Sequence, residues 1–292
     1  MKKNPLVSVI VNCFNGEIYL EQTLKSLFSQ TYYNWELIFW DNQSKDSTKN
    51  IVCKFNDSRI KYYYAPSHTS LSEARHLALN KINGQLFCFL DSDDIWIENK
   101  LELQVNQFLL YPNIGFTYSK FSILYDGVNT NNKQLNYYKS IKIKSHEPKN
   151  IYNKLLFGNF IIFSSVLFQK FEDGKLIFLN KHFNQNEDYD YLLKYSLYYD
   201  CSCIELETTL YRIHDFNNSN KNVEINYLEN EIIYKNLPYS KNVEFAQKKN
   251  ILLKNINKSR TDKNLKSLIK LFTPSNLLLI LKILFLKFKN ES

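Results

Sequence analysis

Asp91, Asp93 and Asp94 crowd three carboxylates into four positions, directly after the apolar run Leu86, Phe87, Cys88, Phe89 and Leu90. Like charges this close raise one another's pKa unless a cation offsets them. A hard divalent ion would do so. Mg2+ or Mn2+ takes one or two protein carboxylates and completes its shell with phosphate oxygens. The bland alternative is a helix starting near Ile95, capped by Asp93 or Asp94, with the second acid favouring its dipole. That alternative leaves Asp91, nearest the strand, without a purpose.

The elements that must position these acids alternate in type over the first hundred residues. "LVSVIV" (6–11), "WELIFW" (35–40), "IKYYYA" (60–65) and "QLFCFL" (85–90) are apolar or β-branched runs expected as strands. Helical spacing predicts helices over 17–30, from a cap at Ser44 or Asp46 to Phe55, and over 71–82, stopped by Asn83-Gly84. Such alternation indicates a parallel sheet covered on both faces. Ligands of such sheets bind beyond the carboxyl ends of the strands. The residues to inspect are therefore Asn12 to Asn15, Asp41-Asn42, Pro66 to His68, and Asp91 to Asp94. Beyond residue 100 we expect a helix over 95–110, a strand over 114–125, a turn-rich loop at 126–136, a β-prone stretch at 159–171, a helix over 187–199 and a strand over 201–214. A polar linker (215–222) then leads into a Lys/Asn/Leu-rich helical region.

Composition narrows the chemistry. The six glycines are isolated, so neither G-x-G-x-x-G nor G-x-x-x-x-G-K-[ST] occurs, and dinucleotide and P-loop sites are excluded. A diphosphate would need a metal and side-chain cations instead, and Asp93, Arg75 and His214 could serve. Of the +8 net charge, residues 241–292 hold twelve Lys/Arg against three Asp/Glu, so the body is near neutral and nucleic acid is not an expected partner. Five cysteines without framework spacing point to a reducing compartment, and "CSC" at 201–203 lacks the second pair a zinc site needs. The N-terminal apolar run is too short for a signal peptide, and no stretch reaches the length of a membrane span.

Four motifs in order, "SVIVNCFNGEIYLEQTLKSLFSQTYYNWELIFWDNQSKDST", "LSEARHLALNKINGQLFCFLDSDD", "EDYDYLL" and "YRIH", resemble the inverting family 2 glycosyltransferases from about Val7 to His214. The resemblance implies a GT-A fold (nucleotide-diphospho-sugar transferase-like), a mostly parallel sheet with helices on both faces, here with a helical C-terminal tail. It implies a nucleoside-diphosphate sugar donor, UDP by default, and Mn2+ or Mg2+ at a D-x-D pair. Phe14 and Asn15 would lie against the base, and Asp41 would accept hydrogen bonds from base or ribose. Arg75 would approach nucleotide and phosphates, and Asp91 the ribose. Asp93, with His214, would hold the metal. Asp188 would be the general base. The acceptor would be a glycan or lipid-linked hydroxyl in cell-surface polysaccharide synthesis. Asn12 stands where the family has Pro, Phe14 lacks the family's phenol, and Asn42 replaces a second acid.

Each residue also has a structural reading. Asp41-Asn42 could form an Asx-turn, and Arg75 could pair with Glu73 or Glu21. Glu187 and Asp188 could be first-turn acids, and His214 a solvated loop histidine. The rival functions are a nucleotidyltransferase, against which the absence of a Gly/Arg/Lys-rich first loop counts, and an inactive membrane scaffold. We expect a catalytic domain over 1–215 and a basic helical region over 216–292. Its stretch 265–290, broken by Pro274, either lies on an anionic membrane or packs on the domain. The expected location is cytoplasmic, at the inner membrane face if the tail docks there.

Overall fold

The β-branched and aromatic runs of the first hundred residues become β1 (Val7–Cys13), β2 (Trp35–Asp41), β3 (Ile60–Tyr64) and β4 (Leu86–Phe89). Between them lie α1 (Leu20–Phe28), α2 (Thr48–Cys53) and α3 (Leu71–Leu79). The structure is a computed structural model that describes residues 3–126, 136, 138–139, 141, 143–144, 146–170, 179–215, 217 and 223–291. The loop expected at 126–136 and the linker at 215–222 lie largely outside the described residues.

Strands β3-β2-β1-β4 pair in parallel. The chain moves from β1 out to β3 and returns to β4 on the other side of β1, which creates a switch point between β1 and β4. The far half is mixed. β8 (Val166–Gln169) is antiparallel to both β4 and β6 (Phe116–Tyr125), while β9 (Cys201–Ile213) runs parallel to β6. β7 (His146–Lys149) and β5 (Ile95–Trp96) both pair antiparallel with β9.

Alternation along β1 decides the two layers. Val7, Val9, Val11 and Cys13 pack with Leu20, Leu24 and Leu27 of α1, with α2, and with Leu101, Val105 and Phe108 of α4 (Lys100–Leu110). The opposite face meets α3 and α6 (Glu187–Tyr198) through an aromatic cluster. There Phe89 lies 4.7 Å from Phe163, Phe87 lies 5.3 Å from Phe168, and Phe168 lies 5.2 Å from Tyr191. A short α5 (Tyr152–Leu155) precedes it.

Two expected elements are corrected. The helix expected from Ile95 starts at Lys100, because Ile95 and Trp96 pair with Leu210 and Thr209 of β9. Asp93 and Asp94 therefore cap no helix. The 159–171 stretch is a 3-10 turn at Phe163–Ser165 followed by the short β8, with Ser165 N donating to Ile162 O at 2.8 Å. α3 also ends before Asn83-Gly84, at Leu79.

Gly84 serves close packing instead. A Cβ there would lie 2.6 Å from the carbonyl oxygens of Leu6 and Leu86 and 2.7 Å from Ser8 N. All three are backbone atoms of paired strands and have no room to shift. Gly84→Ala is expected to destabilise the fold by about 1–3 kcal/mol, read as a lower urea midpoint with an unchanged slope.

The chain divides into two compact units, Met1–Asn217 and Asn218–Ser292. The second consists, among the described residues, of α7 (Val223–Asn236), α8 (Lys241–Thr261), α9 (Leu265–Lys270) and α10 (Pro274–Glu291). The break ahead of Pro274 matches expectation.

Candidate active site

At the end of β4, Leu90 N still donates to Ile10 O (2.9 Å), and the chain then turns, with Asp94 N donating to Asp91 O at 3.1 Å. Neighbouring elements fasten this turn. Asp91 N donates to Ser164 Oγ (3.1 Å), and Thr23 Oγ1 of α1 donates to Ser92 O (3.0 Å). β9 closes the third side, with Arg212 N donating to Asp94 Oδ1 (3.0 Å) and Arg212 Nε to Asp93 O (2.7 Å).

The three acids have different fates. Asp91 is ion-paired to the Arg75 guanidinium. Asp94 is fully buried, and its carboxyl stands well above the usual range, first through burial and then through repulsion from Asp93 and Asp91. Hydrogen bonds from Ser164 and from Arg212 N oppose that rise without cancelling it. Asp93, its side chain 26% exposed, faces an imidazole where Asp91 faces an arginine. Its Oδ2 lies 2.9 Å from His214 Nε2 and 3.4 Å from Asn217 Nδ2. His214 is buried, not a solvated loop residue, and its backbone N donates to Asn217 Oδ1 at 2.6 Å.

Tyr19 of the α1 N-cap supports this corner. Its ring lies 4.7 Å from the His214 ring and 4.5 Å from the Arg212 guanidinium, which also donates to Gln22 Oε1 (2.7 Å) and Asp126 Oδ2 (3.2 Å).

Arg75 is buried and has neither Glu73 nor Glu21 as partner. Its Nη2 holds Asp91 and its Nη1 holds Glu187 Oε1 at 2.6 Å, with the guanidinium over the Phe163 ring at 5.1 Å. Glu187 thus joins a salt bridge, and Asp190 pairs with Lys194 at 2.6 Å. The acids at the start of α6 do more than favour a dipole. Asp188, between them, is half-buried, with Oδ1 accepting from Tyr189 N at 2.6 Å. Burial and then the neighbouring Glu187 push its carboxyl up to about 7, against the opposing pull of Arg75. A carboxylate at that value is poised to take a proton near neutral pH.

At the ends of β1 and β2, Asp41 is buried. Its Oδ1 accepts from Ser44 N (2.7 Å), closing the turn that an Asx residue favours, and its Oδ2 accepts from Tyr62 Oη (2.5 Å). Asn15 adopts a left-handed backbone (φ 53°), and its Oδ1 accepts from Lys45 N at 2.9 Å. Phe14 is 49% exposed and lies 4.3 Å from the His68 ring. His68 Nδ1 meets Asn42 O at 2.9 Å, and since a carbonyl only accepts, the proton sits on Nδ1.

The structure therefore gathers Asp91, Arg75 and Asp188 around one network, Asp93 and His214 into direct contact, and Phe14, Asn15 and Asp41 along one rim. Sequence reasoning gave no role to His68, Arg212, Tyr19 or Asn217. Only Arg212 carried a signal, as part of "YRIH", and His68 only its place at a strand end.

Asp93 Oδ2 and His214 Nε2, in hydrogen-bond contact at 2.9 Å, are a carboxylate oxygen and an imidazole nitrogen, two donor types that would hold a divalent ion such as Mn2+. Among the described residues no three His, Cys, Asp or Glu side chains form a ready cage. The donor set thus fits an ion that takes the rest of its shell from other oxygens.

Known proteins resemble this chain in sequence and in fold. The sequence model described as "Glycosyl transferase family 2" matches residues 8–173. An uncharacterized glycosyltransferase of Haemophilus influenzae is 33% identical over 192 residues, covering 65% of this chain and 71% of its own. UDP-Glc:alpha-D-GlcNAc-diphosphoundecaprenol beta-1,3-glucosyltransferase WfgD of Escherichia coli is 41% identical over 152 residues, covering 52% of this chain and 55% of its own. Putative teichuronic acid biosynthesis glycosyltransferase TuaG of Bacillus subtilis is 35% identical over 122 residues, 41% of this chain and 48% of its own. The chain thus spans about half the length of these last two relatives. Among solved structures, S. aureus TarS 1-349 in complex with UDP-GlcNAc superposes with a TM-score of 0.70 at 17% identity, covering 98% of this chain and 81% of its own. Mannosyltransferase PcManGT of Pyrobaculum calidifontis, in complex with GDP-Man and Mn2+, gives 0.57 at 14% identity, covering 99% and 85%. These two share the GT-A fold seen here. With a matching model over more than half its length, and the acid turn and β9 corner assembled as described, the chain belongs to glycosyl transferase family 2.

Proposed function

We propose that the protein is an inverting glycosyltransferase that moves a sugar from a nucleoside-diphosphate donor, UDP by default, to the hydroxyl of a glycan or lipid-linked acceptor in cell-surface polysaccharide synthesis. The carrying observation is the pairing of a partly exposed Asp93 with buried His214 at the switch point. UDP-GlcNAc bound to TarS and the lipid-diphosphate acceptor in the name of WfgD support the donor and acceptor classes. The catalytic domain is the first unit, and the basic helical region the second.

In this reading Asp93 and His214 hold Mn2+ or Mg2+, which when bound supplies a Lewis acid for the departing diphosphate. Phe14 offers its face to the base, with His68 setting the ring's tilt. Asn15 and Asp41 line the same rim, and each oxygen of Asp41 keeps a lone pair for base or ribose. Asp91 faces the ribose. Arg75, expected at the phosphates, acts through Asp91, because both of its terminal nitrogens are on carboxylates. Asp188 takes the proton of the acceptor hydroxyl as that oxygen attacks the anomeric carbon. A single displacement from the face opposite the diphosphate inverts that carbon.

The test is nucleotide binding by calorimetry with and without Mn2+. Asp93→Ala is expected to abolish the gain in UDP affinity that the ion gives the wild type, while leaving metal-free binding in place. Equal UDP affinity of the wild type in Mn2+ and in EDTA would remove the ion from the proposal. Retention at the anomeric carbon, read by product NMR, would remove single displacement.

A further inference from the structure

α10 rests on α8 through a lysine, with Lys282 Nζ 4.8 Å above the Phe245 ring. Leu279, Ile280 and Ile283 are half-buried, while a second set of leucines is not. Leu277, Leu281 and Leu284 share one face by helical spacing, and all three are exposed, as is Leu278. The strip continues onto α9 and the turn after it. Ile269, Phe272, Leu278 and Leu281 are each 55–70% exposed. Large apolar side chains exposed in this number within sixteen residues point to a contact surface.

Charge identifies what covers it. From residue 263 to 290 there are six lysines and no acid. Lys266 and Lys270 are exposed beside the apolar strip, and among the described residues no helix is long and apolar enough to cross a membrane. A protein partner would need acids matched to these lysines, and a second copy would bring like charge against like. A sheet of anionic headgroups over hydrocarbon satisfies both features at once: the leucines enter the acyl boundary and the lysines stay at phosphate depth.

We propose that α9 and α10 form a surface that lies in the plane of an anionic phospholipid membrane, with Ile269, Phe272, Leu278 and Leu281 inserted and Lys266 and Lys270 on the headgroups. The inference does not depend on the reaction above, so its test reads binding and not turnover.

The full chain is mixed with vesicles of phosphatidylcholine alone or with about one third phosphatidylglycerol, and pelleted. Binding is expected to the anionic vesicles and to fall with salt. Lys266→Gln with Lys270→Gln is expected to weaken it about thirtyfold, at about fivefold per lysine near the surface. Leu278→Ala with Leu281→Ala is expected to weaken it at least about tenfold, from lost apolar burial. Far-UV circular dichroism and an unchanged thermal midpoint show that both variants are folded. Failure of the wild type to pellet, equal pelleting with neutral vesicles, or unchanged pelleting of the leucine variant would each overturn the proposal. So would a dimer that the leucine variant dissolves, seen by light scattering without vesicle binding, since that makes a second copy the occupant.

Discussion

Replacing Asp188 by Asn is expected to lower kcat by about a hundredfold or more, since general-base catalysis contributes about 10²–10⁴. Donor affinity, measured by calorimetry, should stay near the wild-type value. In the wild type the proton taken from the acceptor must find an ionised carboxylate. Burial and Glu187 hold that carboxyl up to about 7. The rate should therefore climb with pH and level off above about 8, and the Asn variant should lack this limb. Stability moves the other way. A folded-state pKa above the unfolded one favours the protonated form, so this contribution is full below the unfolded pKa and is lost as pH rises through about 7. Asn cannot ionise, so the variant should gain thermal stability over the wild type at pH 8 and show little gain at pH 4. Wild-type turnover in the variant would remove Asp188 from the mechanism.

Arg75→Met is expected to have the largest effect on stability. It strips the cation from Glu187, which is buried, and from Asp91, which is one third exposed. Breaking a buried pair by removing one partner costs about 3–5 kcal/mol, because the remaining charge has lost its compensation. A merely structural role would stop there. Arg75 also lowers the Asp188 carboxyl while Glu187 raises it. The rising limb of the pH–rate profile should shift to higher pH in Arg75→Met and to lower pH in Glu187→Gln. Both variants lose stability, so opposite shifts separate the electrostatic role from unfolding. Limbs that stay in place would confine Arg75 to holding the fold.

The parallel half of the sheet was legible because its elements announce themselves locally. Val7–Cys13 and Trp35–Asp41 are buried on both faces and read as continuous apolar runs, and Leu20, Leu24 and Leu27 keep helical spacing. The misreading of Ile95-Trp96 has the opposite cause. Two apolar residues before an amphipathic helix look like its first turn, and only β9, more than a hundred residues later, claims them as a strand. Ser164 and Ser165, inside a β-prone run, spend their hydroxyls on local turns and on the acid loop.

The site residues divide the same way. Asp91 to Asp94 could be picked out because three acids after a buried strand demand a reason. The partner that Arg75 would choose could not, since Glu187 is 112 positions away and Glu73 is adjacent on the same helix. His68 was passed over because its significance is the ring of Phe14 across another strand end, a contact with no trace in spacing.

β9 carries Arg212 and leads into His214, and it pairs in parallel with β6 across the whole 126–200 interval. Closing so long an interval is the slow, entropically costly kind of contact. On the ribosome the acids at 91–94 emerge well before the strand that tethers them, and before Asp188. For more than a hundred residues of synthesis the nascent chain carries this turn with Arg75 upstream of it but without Arg212 and His214. The Asp93–His214 corner is therefore assembled only after β9 has been made.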